Sequence, residues 1–149
     1  MGNAFVKRDR DDTDFRAVRS SLEQRNGDCP FCTLPADRIV AENELAVAIR
    51  DAFPVTPLHT LVIPKRHEPG YFQLSTAETR ACGLLLNVQQ EELRRLDPDI
   101  AAFNIGVNEG PVAGQTVPHC HIHLMPRRKG DVENPRGGVR HVIPGKGIY

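Results

Sequence analysis

Three histidines stand at alternate positions, His119, His121 and His123, in the run PHCHIHLMPR. In an extended strand alternate side chains share a face, with a rise of about 3.3 Å per residue. The spacing therefore predicts three imidazoles in a row, with Cys120, Ile122 and Leu124 forming an apolar row behind them. A sheet that buries the apolar row leaves the histidines lining a cleft. A surface strand carrying three incidental histidines is the plain alternative, but neighbouring imidazoles repel when charged and packing gives no reason to collect them. Two chemistries suit the row. One is metal ligation, since His-x-His on a strand can grip zinc. The carboxylate usual in a hydrolytic version is missing, because Leu124, Met125 and Pro126 follow instead. The other is nucleophilic catalysis. A neutral imidazole with one nitrogen held by a hydrogen bond presents the other as a nucleophile, and flanking histidines can donate to developing negative charge.

A second cluster is Cys29-Pro-Phe-Cys32. A redox reading would place it at the opening of a helix, and Thr33-Leu34-Pro35 is a poor helix start. A zinc reading needs two further ligands, for which His67 and His119 are candidates. Cys82 and Cys120 read as buried small hydrophobes.

The elements that must position these groups are legible. Strands are expected at 38–41 and 45–50, around a tight turn at 42–44. The second alternates Leu45, Val47 and Ile49 with Ala46, Ala48 and Arg50. A third strand is expected at 59–63, ended by Pro64. Ser75-Thr76-Ala77-Glu78 fits a capping box, and Ala81, Leu84, Leu85, Val88 and Leu96 form a helical stripe over 76–96. Asp97-Pro98 ends it. Strands at 100–107 and 119–125 flank the Gly-rich turn NEGPVAGQ. Phe15, Val18 and Leu22 predict a short amphipathic helix at 13–25, after a polar tail at 1–12. From 126 onward Gly, Pro and basic residues read as loop or tail. The order β-β-β-α-β-β predicts an α+β domain: an antiparallel sheet with one long helix packed on it.

Composition sets outer limits. The 149 residues suit one domain. Nineteen basic and nineteen acidic residues cancel, which argues against a general nucleic-acid or membrane-surface binder. No apolar run approaches the ~18–20 residues of a membrane span. The first residues have no apolar signal core, so a cytoplasmic chain with reduced thiols is expected.

The stretch GQTVPHCHIHLMPR (114–127), with Asp51, HTLVIPKRH (59–67) and NEG (108–110), resembles the histidine triad (HIT) family. The resemblance covers roughly residues 29–128 and divides the chain into a tail (1–12), a HIT domain (13–128) and a basic extension (129–149). It implies that His121 attacks the α-phosphate of a nucleotide derivative and forms a covalent nucleotidyl-histidine. His123 would contact phosphate or leaving group, His59 would be a further active-site histidine, and Gln115 would bind phosphate or the bridging oxygen. Asn108, Gly114 and Thr116 match nucleotide-contact positions, and Asp51 matches a carboxylate that binds the ribose hydroxyls. Cys29, Cys32, His67 and His119 match a structural zinc set known in some bacterial members. No catalytic metal is implied, and a homodimer is.

LMPRRKGD (124–131) resembles the dinucleoside polyphosphate hydrolases of the fragile-histidine-triad type, whereas CPFC and NEG resemble the phosphoramidases. The expected function is release of AMP, or another nucleoside monophosphate, from dinucleoside polyphosphates. A nucleoside phosphoramidase is the alternative, and a nucleotide-binding protein without turnover is the rival of another class. Leu58 departs from the Gly or Thr often found before the strand histidine. Arg127, Arg128, Lys129, Arg136, Arg140, His141 and Lys146 read either as a solvated basic tail or as a clamp on a polyphosphate chain.

Overall fold

Local chemistry sets each turn and cap. Asn43 Oδ1 accepts from the backbone N–H of Leu45 and of Ala46, which reverses the chain between the first two strands. The computed structural model describes residues 23–149. In it β1 (Ile39–Glu42), β2 (Ala46–Arg50), β3 (Thr60–Pro64), β4 (Ile100–Val107) and β5 (Ile122–Arg128) form one antiparallel sheet. Its order is β1-β2-β3-β5-β4. The long helix α1 (Thr76–Leu96) packs on one face.

The capping box at the start of α1 is formed. Ser75 Oγ accepts from Glu78 N–H, and the Glu78 carboxylate accepts from Ser75 N–H. Glu78 is buried, and it also receives Arg66 Nε at 2.7 Å and Nη2 at 3.0 Å. Burial alone would raise the Glu78 pKa. The hydrogen bonds from Arg66 and Ser75 outweigh it and hold the carboxyl below its usual range.

Both faces of the central strands are covered. Ala46, Ala48, Val62 and Ile122 meet Cys82 and Leu85 of α1. Val47, Ile49, Leu61 and Ile63 pack on the opposite face against Phe31, Leu34 and Ile39. On β2 the small Ala46 and Ala48 face the helix, while the branched Val47 and Ile49 face the segment carrying the CPFC turn. Cys82 and Cys120 are almost fully buried, and burial pushes each thiol up to about 12. They are core, as their surroundings in the sequence predict.

Two expectations need adjusting. The histidine strand, expected at 119–125, pairs from Ile122 to Arg128. His119 and His121 lie in the segment just ahead, because the His119 ring is tied to other parts of the chain and Cys120 N–H bonds Glu68 O instead of a strand neighbour. The strand also outruns the loop expected from 126. Pro126 is tolerated because β3 stops pairing at Leu124, which leaves β5 an open side. Beyond Arg128 the chain makes turns and a short 3-10 stretch, Gly138–Val142. The tail expected at 1–12 and residues 13–22 of the expected helix lie outside the described residues. No helix among the described residues is long and apolar enough to cross a membrane.

Candidate active site

His59 sits immediately before β3, where the turn ending in Leu58 (φ 68°) swings the chain into the sheet. Its ring is sandwiched by hydrogen bonds. Val55 N–H donates to Nδ1 at 3.3 Å, so Nδ1 is the acceptor and Nε2 carries the hydrogen. That Nε2–H donates to His123 Nδ1 at 3.0 Å. The hydrogen of His123 is therefore on Nε2, a buried atom with no partner. Asp51 Oδ2 lies 3.5 Å from His59 Nδ1, and Asp51 Oδ1 accepts from Phe53 N–H. Burial, helped by His121 and His59, pushes the His123 pKa down to about 4. Burial also lowers that of His59, against the attraction of Asp51. Both rings are thus neutral near pH 7, and His123 offers a buried N–H donor.

His121 is 7% exposed. Its Nδ1 donates to the carbonyl of His119 at 2.8 Å. A carbonyl can only accept, so the hydrogen is on Nδ1 and the Nε2 lone pair is bare, the form a nucleophilic imidazole needs. Phe31 meets the ring edge-on at 5.2 Å and His123 at 5.1 Å, which fixes its plane. On β5 the side chains of His123, Met125 and Arg127 share the face opposite α1, since Ile122 and Leu124 enter the helix-side core. Of the predicted row of His119, His121 and His123, His123 alone lies within the paired strand.

His119 turns to another task. Its Nε2 donates to Pro64 O at 2.7 Å, which leaves the Nδ1 lone pair facing Cys29 Sγ at 3.4 Å and Cys32 Sγ at 3.5 Å. His67 Nδ1 lies 3.4 Å from Cys32 Sγ. One donor atom from each of the four residues falls within 4.8 Å of all the others. Tetrahedral ligands at zinc bond lengths stand about 3.3–3.8 Å apart, so these spacings fit such an ion. Burial pushes the His119 pKa down to about 4, which keeps the ring in the neutral form a ligand requires.

The remaining expected residues lie on the loops ahead of the histidines. Gln115 Oε1 accepts from Gly110 N–H and its Nε2 donates to Pro69 O, so the amide ties two loops together. Gly114 (φ 93°) closes the 3-10 turn Pro111–Ala113 in a left-handed conformation. Thr116 is exposed and Asn108 half-buried. Among the described residues no side-chain hydrogen bond joins these four to the histidines. Phe31 and Val55 went unread in the sequence. Phe31 lies inside the CPFC turn, which could have drawn attention to it. Val55 acts through its backbone N–H and leaves no side-chain signal.

Residues 35–130 match the HIT domain. The chain belongs to that family. A 16.1 kDa HIT-like protein of Mycoplasma pneumoniae is 42% identical over 107 residues, 68% of this chain and 73% of that protein. The bifunctional bis(5'-adenosyl)-triphosphatase/adenylylsulfatase FHIT of Arabidopsis thaliana is 36% identical over 60% of this chain and 49% of its own length. The crystal structure of a zinc-bound histidine triad family protein from Mycobacterium smegmatis superposes with TM-score 0.63 at 35% identity. It covers 70% of this chain and 78% of that one.

Proposed function

We propose that the protein is a nucleotide hydrolase that releases AMP, or another nucleoside monophosphate, from dinucleoside polyphosphates through a nucleotidyl-His121 intermediate. One observation carries the reading: His121 Nδ1–H is held by the His119 carbonyl, so Nε2 is free to attack. In the first step a bond forms between His121 Nε2 and the α-phosphorus, and the bond from that phosphorus to the bridging oxygen breaks. His123 Nε2–H, buried and unpartnered, donates to the oxygen that gains charge. Water then attacks the phosphorus, the P–N bond breaks, and the monophosphate leaves. The activity named for the Arabidopsis relative supports this substrate class.

The Cys29, Cys32, His67 and His119 group is read as a structural zinc site. The ion, when bound, supplies a fixed tetrahedral anchor for the segment that leads into His121. The reading includes a homodimer, for which Leu84 and Val88 offer apolar surface on α1, exposed by 53% and 55%. Light scattering tests that part.

The main experiment offers diadenosine triphosphate and adenosine phosphoramidate to wild type and to His121→Ala, with chelator present, and follows AMP. Faster release from the dinucleotide, lost in the variant, supports the proposal. Preference for the phosphoramidate assigns the chain to the alternative branch. Nucleotide binding without AMP from either substrate leaves a binding protein.

A further inference from the structure

The face of β5 that carries His123 continues through Met125 to Arg127, about 7 Å for each pair of residues. Met125 and Arg127 line a cleft of about 470 Å³, inside the usual range of small-molecule sites. Its other walls come from three places. Asn104 of β4 stands opposite Met125. Val55 and Thr56 belong to the loop that holds His59, through Val55 N–H to the ring and Thr56 O to the backbone N–H. Val132, Asn134 and His141 come from the C-terminal segment, beyond the residues that match the family.

That segment is built in place. Arg136 and Arg140 each lie 4.8 Å from the centre of the Tyr149 ring. Arg140 Nε donates to Gly147 O, and His141 Nε2 to Arg136 O. Gly137 (φ 90°) meets the Gly147 backbone so closely that any Cβ would strike its carbonyl oxygen. Arg128 fastens the opposite wall, donating to Thr56 Oγ1, Pro57 O and Asp97.

The charge in the cleft is balanced. Arg127 Nε and Nη2 form a fork on the Asp131 carboxylate, and Nη1 donates to Asn104 Oδ1. With its guanidinium already paired, Arg127 does not offer the open cationic site a phosphate chain needs. Apolar Met125, Val55 and Val132 beside amide and imidazole groups suit a flat, polar, uncharged body. We infer that this cleft is the subsite for the second nucleoside, the one that leaves with the outer phosphates of a dinucleoside polyphosphate. The inference rests on the proposed function and assigns the C-terminal segment a part in it. The sheet order supports it. Asp51, expected to take the first ribose, follows β2, while the cleft lies over β5 and β4, and His123 stands on β5 two residues ahead of Met125 in the cleft wall.

Calorimetry with the full chain tests the subsite, using a diadenosine triphosphate whose bridging oxygens are methylene groups, and ADP as the single-nucleoside reference. The wild type should bind the dinucleotide about tenfold or more tightly than ADP. Val132→Trp and Asn134→Trp, both at exposed positions, should fill the cleft and bring that ratio near one. A ratio already near one in the wild type overturns the inference, as does a ratio that neither substitution moves, or failure to bind either nucleotide. AMP release from ordinary diadenosine triphosphate is measured beside it. Binding that collapses in the variants without AMP release keeps the subsite and discards the hydrolase.

Discussion

His59 gives its Nε2 hydrogen to His123 Nδ1 across 3.0 Å, so the first ring sets the tautomer of the second. Replacing His59 by Ala removes that donor and lets His123 place its hydrogen on either nitrogen. The expected result is a loss of about 10²-fold in kcat, the size typical of one positioned proton donor, with KM nearly unchanged. His59→Gln, whose amide can still donate, should recover part of the loss. Steady-state kinetics on diadenosine triphosphate checks both.

His121→Ala should lower kcat by about 10³-fold or more, because the proposed attack on phosphorus runs through His121 Nε2. The wild type, quenched with base during turnover, should show an added nucleoside monophosphate mass on the peptide containing His121. The variant should bind nucleotide and show no such adduct. An adduct on another peptide would move the nucleophile elsewhere.

Protein purified without chelator should hold one zinc per chain, and Cys32→Ser should hold much less. Because four ligands join the turn at 29–32 to His67 and His119, loss of the ion should lower Tm by about 10 °C or more. Turnover below the new Tm should fall far less than in His121→Ala, since the ion steadies the chain and does not touch the phosphate. Metal analysis and a thermal melt in chelator are the measurements.

Much of this arrangement could be read before folding, and the reasons differ by residue. The capping box at Ser75 and Glu78 is local, so its residues alone placed the start of α1 within one position. His67 and His119 could be named as candidate partners of the cysteines, but the set of four was matched only through the family resemblance, because both histidines are far from the cysteines in the chain. The twist that separates His119 from the catalytic row was not legible. A period-two pattern cannot say that His119 donates to Pro64 O and points Nδ1 at two thiols. The basic residues from Arg127 onward read either as a solvated tail or as a clamp, and the partners they take were not legible: Arg127 and Arg128 pair with Asp131 and Asp97, and Arg136 and Arg140 stack on Tyr149. Those partners are tertiary, and composition is blind to them.

Stability should fall as pH drops from 6.5 toward about 4. His123 takes a proton near 6.5 in the unfolded chain but only near about 4 when folded. In that window the unfolded state binds more protons, so unfolding is favoured as pH falls; above 6.5 the contribution is complete. His59 is shifted in the same direction. The groups facing His123 are His59, His121 and, through His59, Asp51, whose charge opposes the shift. Glu78 and Asp97, with lowered pKa values, lose their own contributions further down, below their ordinary range. His119, also lowered to about 4, keeps its own share of the slope, so His123→Gln should reduce the slope of the melt-versus-pH curve between 6.5 and 4 and leave the lower limb intact. An unchanged upper limb would mean that the folded ring takes its proton at an ordinary pH.

Leu58 answers for the departure noted before the strand histidine. Its φ of 68° lies in the left-handed region, which costs a side-chain-bearing residue about 1–2 kcal/mol. Leu58 is kept there by packing, since it contacts the cluster of Leu93, Ile100 and Leu124. Leu58→Ala loses the packing and keeps the strain. Leu58→Gly loses the same packing but relieves the backbone. The Gly variant should therefore be the more stable of the two by about 1 kcal/mol, the reverse of their order at ordinary positions. Urea unfolding midpoints of the two variants decide it. Equal midpoints would mean that the chain relaxes at 58 once the leucine is gone, and then the turn into His59 is held by the bonds to Thr56 and Val55 rather than by residue 58.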